Sequence, residues 1–291
     1  MILVTGAAGT TGSEVVRQLA GKGVRVKALI RDAEKAKRFP GPGVETVVAD
    51  LERPATLDKA FRGVDKIFLA SSPDPRVSLL HGNAIDAAKR SGVKQIVRLS
   101  AVAASTSSPA RLLKWHGEVD ERLSRSGISY SILRPQFFMQ NLLGMRGSIQ
   151  ADGAIYLPAK ETKTPLIDTR DVAAAAVAVL TSEGHSGRIY DLSGPESLGF
   201  AEIAARIGKA IGRTVTYVDV PGDAAREALL SQGWPEFLAD GFVEMLAYFA
   251  TGAASDVTNT VEKLTGVKPR TVDAFAKDYA GIFAGTVGAE A

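Results

Sequence analysis

The sequence has no cysteine and very little histidine. Without cysteine, a disulfide framework and catalysis by a thiol are both excluded. The three histidines, His81, His116 and His185, are scattered and lack the spacing of metal ligands. We therefore expect a function that needs neither a metal ion nor a cysteine nucleophile.

Long apolar runs and a strong excess of one charge are also missing. No apolar stretch approaches the roughly 20 residues that a membrane-spanning helix needs. The first predicted strand begins at Ile2, so we expect no signal peptide. The net charge of +3 is not gathered into a basic stripe with interleaved aromatic residues. The expected protein is cytoplasmic, with neither a membrane nor a nucleic acid as a partner.

The amino terminus, MILVTGAAGTTG, combines a short apolar strand with glycines spaced three residues apart. Gly6 would allow a sharp turn off the strand, and Gly9 would let the backbone approach a pyrophosphate. Gly12 would let the following helix pack on the strand. Thr10 and Thr11 stand where that helix begins, and its free N–H groups favour a phosphate. The motif predicts a dinucleotide-binding site.

Apolar strands and amphipathic helices alternate through the first half of the chain. This alternation predicts an α/β fold with a Rossmann-type doubly wound parallel sheet, in which ligands bind beyond the carboxyl ends of the strands. After the first strand, the predicted strands are 24–30, 44–50, 66–72, 94–101 and 129–135. The predicted helices between them are 32–39, 55–63, 78–92 and 110–127.

The length of the chain permits one large domain and a smaller lobe. Residues 1–135 and 165–194 are expected to form the NAD(P)-binding Rossmann domain, with the second segment returning as a helix and a strand. Residues 136–164 and 195–291 would form a smaller C-terminal substrate-binding lobe. Within that lobe, residues 200–221 and 264–283 are expected to be helical. The last seven residues, 285–291, are expected to be frayed.

Arg31 ends the second predicted strand. Dinucleotide folds place an acidic residue there for a ribose 2′-hydroxyl, or an arginine for a 2′-phosphate. With Lys35 nearby and no acid at the strand tip, the sequence favours NADP(H) over NAD(H); a solvated basic patch is the alternative. Further cofactor contacts are predicted at Asp50 and Leu51, which would flank the adenine. Ala70, Ser71 and Ser72 would pass beneath the cofactor.

Several segments resemble the NmrA-like branch of the atypical short-chain dehydrogenase/reductase superfamily: VTGAAGTTG, ALIRD, 114–142, 165–180 and 264–275. The chain looks most similar to the bacterial NADPH-dependent quinone reductases and triphenylmethane dye reductases of that branch. Its fungal nitrogen-regulator members share the fold but act as dinucleotide-binding regulators. The resemblance covers nearly the whole chain and implies an NADP(H)-binding protein.

The tyrosine and lysine that ordinary short-chain dehydrogenases carry four residues apart on one helix are absent. Leu112 and His116 stand at the corresponding places. Tyr156 and Lys160 have the right spacing, but Pro158 lies between them, so we interpret the pair as a chance match in a turn or strand. Without the tyrosine, routine alcohol oxidation is not expected.

The resemblance implies that His116 contacts the nicotinamide ribose or a nearby substrate. A histidine could serve there as a hydrogen-bond donor or as an acid near neutral pH. We expect positioning rather than acid catalysis, and the alternative is a histidine satisfied within the helix surface. Ser100 and Lys114 are weaker candidates for the catalytic site.

The segment after Pro135 is expected to form one wall of an apolar pocket. Pro135 and Phe137 would contact the cofactor, while Phe138 and Asn141 would contact the substrate. The opposite wall would come from a helical stripe of which only one or two members, Trp234 included, are expected to reach the substrate. The stripe consists of Trp234, Phe237, Phe242, Met245, Tyr248 and Phe249.

These features predict an NADPH-dependent reductase that transfers hydride to a flat apolar small molecule such as a quinone. Such an acceptor takes hydride at positions conjugated to its carbonyls, so a dedicated tyrosine acid is less necessary. The alternative is a redox sensor that binds NADP(H) without turnover, because the fold alone does not separate the two functions.

Overall fold

The computed structural model describes residues 1–39 and 41–287. The first part of the chain alternates strands with helices, and a short 3-10 helix, Ala33–Arg38, follows the second strand. In chain order the elements are β1 (Ile2–Val4), α1 (Thr10–Gly21), β2 (Val26–Ile30), β3 (Val44–Val48), α2 (Pro54–Ala60), β4 (Lys66–Leu69), α3 (Val77–Arg90), β5 (Gln95–Leu99), α4 (Arg111–Ser124) and β6 (Ser129–Pro135).

The second part begins with a 3-10 helix, Met139–Met145, and contains a single π turn, Phe249–Ala253. Its first elements are α5 (Arg146–Asp152), β7 (Ala154–Leu157), β8 (Lys163–Thr164), α6 (Thr169–Thr181), β9 (Arg188–Leu192), β10 (Leu198–Gly199) and α7 (Phe200–Ile211). The remaining elements are β11 (Thr216–Asp219), α8 (Gly222–Ser231), α9 (Glu236–Tyr248), α10 (Thr260–Thr265), α11 (Val272–Asp278) and α12 (Ala280–Ala284).

Seven strands form one parallel sheet in the order β3-β2-β1-β4-β5-β6-β9. Apolar residues of α1 and α6 pack on one face of this sheet, and those of α2, α3 and α4 pack on the other. The predicted doubly wound α/β fold is confirmed. The strand order reverses between β1 and β4, and a crevice opens at such a switch point beyond the carboxyl ends of the strands.

The segment 165–194 returns to this sheet as a helix and a strand, as the sequence predicts. The helix α6 packs its buried apolar residues with those of α1, and β9 pairs with β6. Val261 of α10 joins the same cluster, although it lies in the segment that the sequence assigns to the smaller lobe. The two domain boundaries themselves remain predictions.

Two helical predictions are wrong in detail. Residues 32–39 form only the 3-10 helix Ala33–Arg38, which buries no side chain and is capped by Asp32 Oδ1 accepting from Glu34 N at 3.0 Å. A helix without a buried face gains little from tertiary packing. The predicted helical segment 200–221 ends as α7 at Ile211, where Gly212 takes a left-handed conformation with φ 69°. The β-branched and aromatic residues that follow favour a strand, and they form β11.

The remaining elements surround a second apolar core. In it, β11 pairs with β7, and β10 pairs with β8, in two small sheets. Side chains of α7, α9 and α11 fill the space between these sheets and the segment after β6. Of the predicted frayed end, 288–291 lie outside the described residues. Along the described part of the chain, no helix has the length and apolarity to cross a bilayer.

Candidate active site

The turn after β1 is fitted closely against the end of β4. Gly6 has a φ of +59°, and a Cβ built on it would lie 2.9 Å from the carbonyl oxygen of Ala70. Thr5 holds the two segments together, since its Oγ1 donates to Ala70 O at 2.7 Å and accepts from Ala70 N at 2.8 Å. Gly12 is fitted against the turn itself, with Ala7 Cα 3.0 Å from the position of a Cβ. Without a side chain at Gly12, α1 can approach the turn closely, and its Val15, Val16 and Leu19 share a core with Ile2 and Val4 of β1.

Of the three glycines, Gly9 is the one at which a side chain would disturb the fold least. It is exposed, and the nearest atom to a Cβ built on it is Gly6 O at 3.3 Å. It caps α1 without a side-chain hydrogen bond, and the first turn contains no acidic residue. Thr10 is exposed and Thr11 is buried at this helix start. The open helix N-terminus beside an exposed glycine fits the pyrophosphate of a dinucleotide.

Basic side chains lie beside this turn. Arg31 and Lys35 are exposed, at the end of β2 and in the following 3-10 helix. Arg38 reaches the glycine turn, where its Nη1 donates to Ala8 O at 3.0 Å. The sequence interpretation left Arg38 in a general basic patch, because a contact across 30 positions has no local signal. The group can attract a 2′-phosphate near the end of β2.

The residues predicted beside the adenine and beneath the cofactor follow β3 and β4. Asp50 Oδ1 accepts from Glu52 N at 3.0 Å in a tight turn, and Leu51 is buried. Ala70 is buried against the glycine turn, whereas Ser71 and Ser72 line a large cleft next to it. The structure thus brings the predicted cofactor contacts to one edge of the sheet.

The cleft has a volume of about 1160 Å³ and lies over the carboxyl ends of β4, β5 and β6. Pro135, Phe137, Phe138 and Asn141 all line it, as does Trp234 from the facing wall. Phe137 is also part of the second core, with its ring centroid 6.0 Å from that of Phe242.

The aromatic stripe contributes to the cleft, and how many of its members contact the substrate stays a prediction. Four of the six members line the cleft, namely Trp234, Phe242, Met245 and Phe249. The stripe is divided between two faces, because α9 crosses α4 as well as the cleft: Phe237 packs against Trp115, with centroids 6.3 Å apart. The facing wall is therefore built largely from apolar side chains.

His116 lies on α4 and lines the cleft. Its Nδ1 is 3.0 Å from Nη2 of Arg98, a fully buried residue of β5. Burial first, and then the positive charges of Arg98 and Arg134, lower the pKa of His116 to about 3. The side chain is therefore neutral at physiological pH, which favours the predicted positioning role over that of a charged acid.

The carboxylate of Asp120, beneath His116, accepts hydrogen bonds from the neighbouring donors. Asp120 pairs with Arg98, and its Oδ2 accepts from Arg134 Nη2 at 2.9 Å and from Ser100 Oγ at 2.9 Å. Ser100 lines the cleft, but its proton is directed to Asp120 rather than outward. In the structure the Ser100 hydroxyl supports this network, and its weak catalytic role stays a prediction. Lys114 is exposed and does not line the cleft.

Tyr156 belongs to β7 and Lys160 to a turn with a φ of 48°, so the pair does not share a helix face. The sequence interpretation did not single out Arg98 and Asp120, which form the hydrogen-bonded network beside His116. A buried arginine in a central strand, and an aspartate one helical turn after His116, were the available signals.

In the part of the chain that the structure describes, no group of three or more possible ligands could hold a metal ion.

The strand order, the glycine turn and the adjoining cleft define a dinucleotide-binding protein of the Rossmann class. The model of the NmrA-like family matches residues 1–276, and the chain belongs to that family. Over 283 residues it is 41% identical to the NAD(P)H azoreductase of Xenophilus azovorans, covering 97% of this chain and 99% of that relative.

Solved structures agree with this assignment. The NADPH-dependent quinone oxidoreductase of Escherichia coli, in complex with NADPH, matches with a TM-score of 0.88 and 32% identity, over 96% of this chain and 99% of that chain. The triphenylmethane reductase of Citrobacter sp., in complex with NADP(H), matches with a TM-score of 0.86 and 28% identity, over 96% of this chain and all of that chain. These relatives are reductases that use a nicotinamide cofactor.

Proposed function

We propose that this protein is an NADPH-dependent reductase that transfers hydride to a flat apolar acceptor such as a quinone. The observation that carries the proposal is the cleft of about 1160 Å³ at the switch point of the sheet, lined mainly by apolar side chains with neutral His116 in its inner wall. A pocket with apolar walls and a few orienting polar groups suits a planar aromatic ligand. The NADPH dependence and acceptors of its relatives support the same reaction.

The cofactor would be held along the edge already described. Gly9, Thr10 and Thr11 would receive the pyrophosphate at the start of α1, while Arg31 and Lys35 would meet the 2′-phosphate. Asp50 and Leu51 would flank the adenine, and Ala70, Ser71 and Ser72 would pass beneath the cofactor. On the nicotinamide side, His116, Pro135 and Phe137 complete the predicted set.

When bound, NADPH supplies the hydride, and water can supply the proton that completes reduction of the acceptor. The chain itself orients and encloses the acceptor, with Phe138, Asn141 and Trp234 as the proposed contacts. His116 can donate a hydrogen bond from Nε2 to an acceptor oxygen or nitrogen. No Tyr-xxx-Lys pair is used: the proposed reaction depends on the geometry of the bound acceptor rather than on a tyrosine acid.

The deciding experiment is the rate of NADPH oxidation under anaerobic conditions with a small quinone, a polycyclic quinone and an azo compound. Ala225→Trp would fill the cleft from α8, and Ala205→Trp, on the exposed face of α7, is the matched control. We expect turnover that Ala225→Trp abolishes while NADPH binding remains, with no effect of the control. NADPH binding without turnover of any acceptor would overturn the proposal and favour the redox sensor.

A division into two lobes accompanies this proposal. Residues 1–135 and 165–194 would hold the cofactor, while 136–164 and 195–291 would provide most of the acceptor site. The cleft lies where these two sets of residues meet, since Ser71, His116, Trp234 and Phe249 all line it.

A further inference from the structure

The hydrogen-bond partner of His116 is unusual for a histidine beside a carboxylate. Asp120 is one helical turn from His116 on α4, yet the side chain that contacts the imidazole is Arg98, from the neighbouring strand β5. Arg98 is fully buried, with Nη1 paired to Asp120 and Nη2 3.0 Å from His116 Nδ1. The order of contacts is therefore histidine, arginine, aspartate.

A guanidinium group can donate hydrogen bonds but cannot accept them. Although burial lowers the pKa of Arg98 to about 10, the group remains a cation at neutral pH. His116 Nδ1 must therefore be the acceptor, so its ring proton is on Nε2. A protonated imidazole would direct an N–H against the N–H of Arg98.

The surroundings of Arg98 fix its orientation. Asp120 is the anchor, and it is itself held by Arg134 from β6 at 2.9 Å and by Ser100 from the end of β5 at 2.9 Å. Arg98 is thus held between Asp120 and His116, in a site where a shift of the guanidinium would break a buried ion pair.

The charges around His116 all disfavour its protonation or are already neutralised. Arg98 and Arg134 are cations, His81 from α3 is buried with a strongly lowered pKa, and the Asp120 carboxylate is paired with both arginines. Two other charged residues line the cleft: Asp74 is paired with Arg76, and Arg146 is a cation. Within the described residues, the α8 and α9 wall brings no acidic or basic side chain to the cleft.

We propose that Arg98 is a positioning residue that holds His116 in the single tautomer with its proton on Nε2. The acceptor then meets a neutral hydrogen-bond donor whose charge stays the same around neutral pH. A direct contact with a carboxylate would have the opposite effect, because it would stabilise the charged imidazole. The inference rests on the proposed function only for the contact with the acceptor, since the tautomer is a property of the protein alone.

The first test uses the unaltered protein and needs no turnover. Nitrogen NMR of protein labelled in histidine distinguishes a protonated from an unprotonated ring nitrogen, and His116→Gln identifies the signals of His116. We expect Nε2 protonated and Nδ1 unprotonated, without change from about pH 5 to about pH 8. A proton on Nδ1, or titration within that range, would overturn the inference even if the protein is an active reductase.

The second test removes the donor. Arg98→Met should leave His116 in a mixture of tautomers and raise its pKa above about 3, while burial and Arg134 still hold the pKa below its usual value of about 6.5. The same change should lower kcat by tenfold to about a hundredfold. Arg98→Lys retains a charged donor and should restore part of the rate. Lys27→Met removes another buried cation, from β2, and serves as the control for general loss of stability.

The comparison of these variants separates positioning from a structural role. A purely structural role predicts equal loss of activity in Arg98→Met and Arg98→Lys, with no new inflection in the pH profile, and that result would contradict the inference. If Arg98→Met does not fold, the pH series on the unaltered protein still decides the tautomer.

Discussion

Arg111, the first residue of α4, binds Glu244 of α9 through its side chain and its backbone. Its Nη2 lies 2.6 Å from Glu244 Oε1, and its backbone N donates to Oε2 at 3.0 Å. Beside this pair, Leu112 fits against Gly241, whose missing side chain leaves room for it. The helix that carries His116 is thereby joined to the helix that carries Phe242 and much of the facing wall of the cleft.

Loss of this connection should weaken binding of the acceptor more than binding of the cofactor. Arg111→Ala should raise KM for the acceptor severalfold, because a partly exposed ion pair contributes on the order of 1 kcal/mol. NADPH affinity should stay the same, as α9 lies on the proposed acceptor side of the cleft. Arg90→Ala, which breaks an exposed pair with Asp58, is the control. Equal weakening of NADPH and acceptor would show that the connection does not act on the facing wall.

The glycines of the first turn should differ in what their replacement costs. Gly9→Val should abolish NADPH binding while the thermal midpoint of unfolding changes little, since a Cβ at Gly9 meets only Gly6 O at 3.3 Å. Gly12→Ala should destabilise the protein, because its Cβ would overlap the turn. Calorimetry and cofactor titration measure both effects. Normal NADPH binding by Gly9→Val would mean that the phosphates lie elsewhere.

The choice between cofactors should depend on the carboxyl end of β2. Arg31→Ala should weaken NADPH binding by on the order of 1.5 kcal/mol, the lower end for a charge-assisted contact because the residue is exposed. NADH binding should change much less. Arg25→Ala removes the same charge just before the opposite end of β2 and is the matched control. Titrations at two salt concentrations give the comparison, and equal losses for both cofactors would contradict the assignment.

Activity should depend on a hydrogen bond from His116 rather than on its charge. His116→Gln keeps a donor and should lose only modest activity, whereas His116→Ala should lose more, chiefly in kcat. The parent profile should show no descending limb near pH 6.5, because the pKa of His116 is lowered to about 3. Quinone reduction across pH by the three proteins provides the measurement. Equal and severe losses, with a descending limb that both variants abolish, would instead identify His116 as the acid.

The same lowered pKa predicts a loss of stability in acid. The folded protein keeps His116 unprotonated down to about pH 3, whereas the unfolded chain takes up a proton near pH 6.5. The stabilisation is therefore present above about pH 6.5 and is lost as the pH falls below it, by about 2 kcal/mol between pH 7 and pH 5. Urea unfolding should show a smaller loss in His116→Gln than in the parent. Identical losses would mean that the pKa of His116 is not lowered in the folded protein.

Local sequence was enough to predict the elements that form the cofactor edge. The turn formed by Gly6, Gly9 and Gly12 can be predicted from backbone sterics alone, because all three lie within one short segment. The buried apolar runs of the strands indicate a parallel sheet. The helix predicted at 32–39 was the weakest of these predictions, because residues 33–38 bury no side chain and polar patterning alone does not fix a helix.

Contacts within the candidate site could not all be predicted from local sequence. His116 and Asp120 could be placed on one helix from their spacing, but the sequence does not reveal that Arg98 lies between them. The sequence also does not show how the stripe divides between Phe237, which packs against Trp115 of α4, and Phe242, which lines the cleft, because that division depends on how α9 crosses α4.

The sequence by itself determined that this chain folds as a doubly wound sheet with a dinucleotide turn at Gly6 to Gly12, since short-range sterics and apolar periodicity specify those features. Only the tertiary structure decided the state of His116 and the shape of the cleft. A tautomer and a pKa are set by charges and burial within a few ångströms, and Arg98, Arg134 and His116 come to that distance only when β5, β6 and α4 are packed together.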